Sequence, residues 1–437
     1  MKKEQTVKRR DVIKGAVAAA ALPTIIPSGV ARAKDGKPAP SDRVVVGCIG
    51  LGGLGRTWHL EHRLLPNDRV EVAALCDVDR NHLNLAGRMH RAKTLKRAGV
   101  YKDFRKLVER KDLDAVMIST PDHWHTLCAT AALEAGLDVY CEKPLTLTIE
   151  EGKELVKTTR RYGAVFQTGS QQRSDGRFRK ACELVRNGKI GRITQVDTVL
   201  HPVHHGKWMP TTTPPDHLDW DFWLGPAPYV DYVESHVHYR FRWFLDYSGG
   251  VMTDWGAHHN DIAQWGLGMD GSGPVEVDGR ESKFADQGPH TVALHFDVKY
   301  KYANGTTLIC HSDKQTINGI DISRGVMFTG EDGWIFVSRT TIQASDEDIL
   351  KIELGDGDIR LYESRDHHEN WLDCIKSRER CICDVEIGHR SVSVCHMGNI
   401  SMRLGRPLKW DPEKEQFVGD EQANRLMYKP MRGAWHL

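Results

Sequence analysis

The chain has 437 residues, too many for one small core, so two domains are the starting expectation. Its 60 Lys+Arg against 59 Asp+Glu leave a formal net charge of +1, which provides no global field to draw nucleic acid or an acidic membrane surface. No nucleic-acid partner is expected.

The first strongly biased segment is the N-terminus. A basic start ends in Lys8-Arg9-Arg10-Asp11-Val12-Ile13-Lys14, an Ala/Val run follows from Gly15 to Leu22, and Ala31-Arg32-Ala33 supplies the small-x-small pattern of a cleavage site. Pro23 and Pro27 interrupt the apolar run, which falls short of the roughly 20 residues a bilayer span needs. Residues 1–33 read as a signal peptide, and the paired arginines resemble the twin-arginine signal that exports folded proteins, predicting a periplasmic or other extracytoplasmic location. Residues 34–42, rich in Lys, Pro and Gly, read as a linker.

From Arg43 short apolar runs alternate with helical patterns. Val44 to Ile49, Val70 to Leu75, Ala115 to Ser119, Val139 to Cys141 and Ala164 to Phe166 are strand candidates, with amphipathic stretches such as His123 to Ala135 and Glu150 to Tyr162 between them. That order predicts a parallel α/β sheet covered on both faces over residues 43–169. Cys48 and Cys76 fall inside these runs as small hydrophobes, and no disulfide or metal framework is assigned to the ten cysteines. Residues 170–437 have another texture: His290 to Tyr302 alternates, with Val292, Leu294, Phe296, Val298, Tyr300 and Tyr302 on one face. Thr307 to His311 and Val326 to Val337 continue as strands, and Asp366 to Ser377 and Ser391 to Leu404 as helices.

The first strand runs into Gly50-Leu51-Gly52-Gly53-Leu54-Gly55, with G-x-G-x-x-G spacing. Gly50 permits the tight turn, Gly52 lets backbone N–H groups approach a pyrophosphate, and Gly55 lets the following helix pack on the strand. The second strand ends at Asp77, 22 residues past Gly55, where a carboxylate can accept hydrogen bonds from a ribose diol. Asp77 predicts NAD over NADP, because a 2′-phosphate would meet a negative charge; Asp79 is near enough to share or replace it.

Two further sequences sit where strands end at the carboxyl edge of such a sheet: Ser119-Thr120-Pro121-Asp122-His123-Trp124-His125 and Cys141-Glu142-Lys143-Pro144. A lysine there can hydrogen-bond an alcohol and stabilise an alkoxide as hydride leaves. Farther along stands Gly249-Gly250-x-x-x-Asp254-x-Gly256-x-His258-x-x-Asp261, which as a helix would put Asp254, His258 and Asp261 on one face, with His258 as a base oriented by a carboxylate. A cation held by Asp254, His258 and His259 with His201, His204 and His205 is the competing reading; no metal is assigned.

Together these motifs resemble the Gfo/Idh/MocA oxidoreductases, over essentially everything from Arg43 to about Trp435. The resemblance implies a Rossmann domain, then an α+β domain with a large, mostly antiparallel open sheet that serves homo-oligomers, dimeric or tetrameric. It also implies that Lys143, Asp254 and His258 occupy catalytic positions. Gly50 to Gly55, Asp77, Thr120, Pro121, His125, Glu142 and Lys143 would bind the nucleotide, and Arg173, His236, His238, Trp243 and His258 a sugar or polyol. The expected reaction is oxidation of a sugar, glycoside or cyclitol hydroxyl. An exported enzyme has no dissolved NAD pool, so the nucleotide should stay bound and be recycled. A redox-neutral NAD-dependent glycosidase or epimerase, and a non-catalytic sugar-binding protein on the same fold, are the alternatives; Glu142-Lys143-Pro144 favours oxidoreduction.

Overall fold

The computed structural model describes residues 42–203 and 205–437, so the expectations for the signal segment, for linker residues 34–41 and for His204 lie outside the described residues. The N-terminal sheet has six strands: β1 (Val44–Ile49), β2 (Val70–Cys76), β3 (Gly99–Tyr101), β4 (Ala115–Ile118), β5 (Asp138–Cys141) and β6 (Phe166–Thr168). Their order is β3-β2-β1-β4-β5-β6 and every pairing is parallel, the doubly wound arrangement whose ligands bind beyond the carboxyl ends of the strands. β4 and β5 are buried throughout, as strands covered on both faces must be, which explains their unbroken apolar runs. β3 went unread because it is three residues long, and β6 is shifted two residues toward the C-terminus from the predicted run, sharing Phe166 with it.

Helices α1 (Leu54–Leu64), α2 (Arg80–Thr94), α3 (Phe104–Val108), α4 (Asp122–Glu134) and α5 (Ile149–Tyr162) connect these strands. Asp79 caps α2 by accepting from the Asn81 and His82 N–H groups, and Thr148 caps α5 through Glu151 N–H. α1 differs: it is wound as a π-helix, no side chain caps it, and its first turn holds no acidic residue, so its N-terminal N–H groups stay available.

The second domain carries a nine-stranded sheet. Its strands run in space as Ile342–Ala344, Trp334–Val337, Gly325–Gly330, Ile193–Val199, Thr307–His311, Asp297–Lys301, Glu276–Asp278, Leu408–Asp411 and Gln416–Phe417. All pairings are antiparallel except Ile193–Val199 with Thr307–His311. The predicted alternating face is buried, from Val292 at 1% exposed to Tyr302 at 2%. Helices α6 (Gly176–Arg186), α7 (Trp220–Leu224), α8 (Val251–Asp254), α9 (Gly256–Leu267), α10 (His367–Ser377) and α11 (Val385–Leu404) complete the domain, and α6, α9 and α11 pack on the sheet.

The division at residue 170 is not clean in space. Trp371, Leu372 and Cys374 of α10 join the core formed by β1 and β2, and Val385 and Val392 of α11 join the core on the other side of the same sheet. All ten cysteines are buried free thiols, Cys48 and Cys76 within strands as expected.

Candidate active site

One cavity of about 610 Å3 runs along the carboxyl edge of the parallel sheet. At one end it is walled by the glycine turn, Asp77, Asp79 and His82, then by Ser119, Thr120 and Pro121, and at the other end by Glu142, Lys143, Asp254, Trp255, His258 and Arg339. The glycines divide by what they do. Gly50 has φ +86, and a Cβ there would stand 2.6 Å from the Ser119 and Thr120 backbone; one on Gly55 would stand 2.1 Å from the Gly50 carbonyl oxygen. Those two make the turn and the helix contact possible. A Cβ on Gly52 would meet only the His82 ring, at 4.0 Å, and one on Gly53 nothing within 4 Å, so these two leave space that the fold does not use. That space lies before the uncapped N-terminus of α1, where N–H groups and the helix dipole favour an anion. The buried Ser119 and Thr120 hydroxyls have no protein partner. An open cradle, a free helix terminus and unsatisfied donors fit a dinucleotide.

Asp77 lines this end. Its Oδ2 accepts from Leu51 N–H at 2.6 Å and its Oδ1 from Asp79 N–H at 2.8 Å, which fix the carboxylate. Asp79 is 2% exposed and committed to capping α2, so it does not replace Asp77. The Leu51 side chain is core, and the Leu54 side chain is exposed. His125 is buried and bonds the Pro144 and Thr120 carbonyl oxygens at 2.8 and 2.9 Å, tying the two strand-end turns together from behind rather than reaching the cavity.

At the other end Lys143 Nζ donates to Asp254 Oδ1 at 2.6 Å and to the Asp254 carbonyl at 3.0 Å. Burial opposes the Asp254 charge, but Lys143 and then Arg242, whose Nε lies 3.4 Å from Oδ2, outweigh it and hold the pKa down at about 2. His258 is buried, and its Nδ1 has no partner. Burial first, and the Lys143 and Arg339 charges next, push its pKa well below the ordinary range, so the imidazole is neutral. Glu142 is equally buried; His59 Nε2, 3.0 Å from Oε1, and the Lys143 charge overcome the cost of burial and hold its pKa low.

Several expectations are corrected. Asp254 orients Lys143, not His258, because the helix breaks at Trp255 between α8 and α9 and turns the two side chains to different partners. Asp261 points away from the cavity, into a buried cluster with Arg173 and Ser391. Arg173 is therefore not a substrate contact: it is 1% exposed and ion-paired to Asp261 and Asp270. His236 packs at a tilt against Phe244 and lines a separate depression, and Trp243 packs on the second-domain core beside His290. His238 does line the main cavity, but at the Asp77 end, where His82, His238 and Asp79 bring ligand-type atoms within 4.8 Å of one another. The competing cation set around Asp254 and His258 is not assembled among the described residues; His259 Nδ1 bonds the Val199 carbonyl instead. The sequence reading missed His59, Gln172 and Arg339, which lie in no recognisable motif and reach the site only through the fold.

Comparison with known proteins agrees with this architecture. Residues 44–170 match the model of the oxidoreductase family's NAD-binding Rossmann fold, and residues 189–437 match that of its C-terminal alpha/beta domain. The chain belongs to the Gfo/Idh/MocA oxidoreductase family. It is 26% identical over 391 residues to a myo-inositol 2-dehydrogenase of Thermotoga maritima, covering 86% of this chain and 99% of the relative. It is 34% identical over 174 residues to a glycosyl hydrolase family 109 protein of Shewanella pealeana, covering 36% and 37% of the two chains. Among solved structures, the WlbA dehydrogenase of Bordetella pertussis in complex with NADH and UDP-GlcNAcA superposes with a TM-score of 0.62 at 18% identity, covering 84% of this chain and 99% of that one. An aldose-aldose oxidoreductase of Caulobacter crescentus gives 0.60 at 20% identity, covering 84% and 99%; such likenesses carry the fold. This Gfo/Idh/MocA member is thus an NAD-binding oxidoreductase acting on CH–OH groups, with a cavity that runs from the glycine turn to a lysine–aspartate pair.

Proposed function

We propose that the protein oxidises a hydroxyl of a sugar, glycoside or cyclitol, using NAD in preference to NADP and keeping the nucleotide bound between turnovers. The observation that carries the reading is Lys143 fixed by two Asp254 acceptors beside neutral His258, in the same cavity as the open glycine cradle. NAD, when bound, supplies the hydride acceptor. Gly52, Gly53 and the N-terminus of α1 would hold its pyrophosphate and Asp77 its adenosine ribose; a carboxylate there disfavours an added 2′-phosphate.

An ammonium has three N–H donors, and Asp254 takes two of those on Lys143. The third is free to donate to the substrate oxygen, and Asp254 keeps the ammonium charged and aimed while negative charge grows there. His258 is neutral at pH 7 and accepts the hydroxyl proton on a ring nitrogen. Burial of both groups keeps bulk water from competing for that proton.

Retention of the nucleotide rests on the export reading of residues 1–33, since outside the cytosol a released cofactor could not be reoxidised. The resemblance of Arg9-Arg10 to the twin-arginine signal supports that reading; Arg9→Lys with Arg10→Lys should leave the protein in the cytosolic fraction. Self-association through the nine-stranded sheet belongs to the same proposal and is read by mass in solution. The main test is mass analysis of nucleotide carried by the purified protein, then the reduced-nicotinamide band during incubation with sugars and cyclitols. A protein without nucleotide, inert to added NAD with every hydroxyl compound, would refute it. The glycosyl hydrolase relative keeps a redox-neutral variant open to test: glycoside cleavage with no net change in that band selects it.

A further inference from the structure

Most charged side chains around the hydroxyl end of the cavity touch a side-chain partner. Lys143 and Arg242 share Asp254, Glu142 faces His59, and Asp122 accepts from the Ser248 hydroxyl at 2.5 Å. Arg339 touches no carboxylate. It lines the same cavity, its guanidinium carbon lies 4.5 Å from the centre of the Trp255 ring, and no carboxylate among the described residues comes within ion-pair distance. Arg324 lies 3.9 Å from the centre of the same ring and is likewise without a carboxylate among the described residues.

Arg339 is nonetheless held in place. Its Nε donates to Gln172 Oε1 at 2.9 Å, and Gln172, 2% exposed, donates from Nε2 to the His258 carbonyl at 3.2 Å. One buried amide thus fixes Arg339 and the backbone of the proposed base together. A guanidinium has five N–H donors in a planar fork; Gln172 takes one, and the two Nη groups remain for a ligand. Partial desolvation, and next the Arg324 charge, lower the Arg339 pKa against the more distant Asp254 and Glu142 charges, so what the guanidinium lacks is a counter-charge in direct contact. An oxidised nicotinamide ring is itself cationic and cannot supply that charge. A neutral sugar cannot either, whereas a carboxylate matches the fork in both charge and shape.

We propose that the cavity takes an acidic sugar, its carboxylate held by Arg339 with Arg324 behind it, while a hydroxyl of the same molecule meets Lys143 and His258. This rests on the redox reading above, but its test is separable. Hexuronic acids, the corresponding neutral hexoses and hexose 6-phosphates are offered to the full chain with its bound nucleotide, and both calorimetric affinity and the reduced-nicotinamide band are followed. The acids should bind roughly tenfold or more tighter than their neutral partners, the scale of a charge-assisted hydrogen bond, and lose that margin at high salt. Arg339→Gln should erase the margin by raising KM for the acids, and Arg339→Lys should restore part of it. Equal affinity for acid and neutral members, a preference for the phosphates, or a margin that survives Arg339→Gln in a folded protein overturns the proposal. Tight, Arg339-dependent binding of acids without nicotinamide reduction supports the anion site and refutes the redox reading instead.

Discussion

The two ends of the cavity are built in opposite ways. At the nucleotide end six consecutive residues, Gly50 to Gly55, make the turn, and backbone sterics dictate the positions of Gly50 and Gly55. At the hydroxyl end Lys143, Gln172, the Asp254–His258 motif and Arg339 come from four segments far apart in sequence, tied to one another by hydrogen bonds between side chains and carbonyls. The first end is made by local chain geometry and the second by the packing of two domains. Damage should therefore separate: a change at one end should spare the other.

The largest separable effect is expected at Lys143. Lys143→Met removes the donor to the substrate oxygen and should lower kcat/KM by roughly 10³, within the range of a positioned acid–base group. It should leave bound nucleotide and the sheet intact, read by mass and circular dichroism. Loss of nucleotide as well would show that the two ends are one unit. The converse change is Gly55→Ala, whose methyl would need the Gly50 backbone to move from 2.1 Å. It should destabilise the fold by about 3 kcal/mol, as forced overpacking against backbone does, and empty the nucleotide cradle. Urea unfolding and nucleotide mass measure both.

A third, smaller effect tests the second domain alone. His311 sits in the large sheet between Asp297, at 2.7 Å, and Asp197, at 3.0 Å. Burial by itself would discharge the ring, but the two carboxylates raise its pKa to about 9. A folded pKa above the unfolded value gives stability that is complete below about pH 6.5 and is lost as pH rises through about 9. With half of Asp297 exposed and screened, roughly 2 kcal/mol is at stake. Wild type should therefore lose more stability than His311→Gln between pH 6 and pH 10, and hydrogen exchange should place that loss in the nine-stranded sheet. Equal pH profiles for the two proteins would refute the assignment.

The same contrast decides what was legible in the sequence. Gly50 to Gly55, Asp77 and Glu142-Lys143-Pro144 could be placed at the strand ends that border the cavity because local spacing sets their position, and the buried strands because both faces demand apolar residues. Asp254 and His258 were found, but the partnership between them was misread: helical spacing put both on one face, and the break at Trp255 gave Asp254 to Lys143. Arg173 was misjudged because a buried arginine paired to Asp261 and Asp270 looks, in one dimension, like one free to meet a substrate. His59, Gln172 and Arg339 had no local signal at all, since each acquires its role from a residue many positions away.

The smallest predicted effect asks whether the empty half of the cradle belongs to the fold or to a ligand. Gly53 has φ −52 and ψ −54, ordinary helical values, and a Cβ there would meet nothing within 4 Å. Gly53→Ala should therefore change stability by less than about 0.5 kcal/mol in the nucleotide-free chain, against the large loss at Gly55 two residues away. If the space before α1 is kept for a pyrophosphate, the same methyl should weaken nucleotide binding measurably, and Gly52→Ala should weaken it more because that residue lies deeper in the turn. Calorimetric nucleotide affinity beside urea unfolding separates the two. A Gly53→Ala chain that unfolds early with unchanged affinity would mean that the glycine serves the backbone, and the case for a reserved phosphate space would fail.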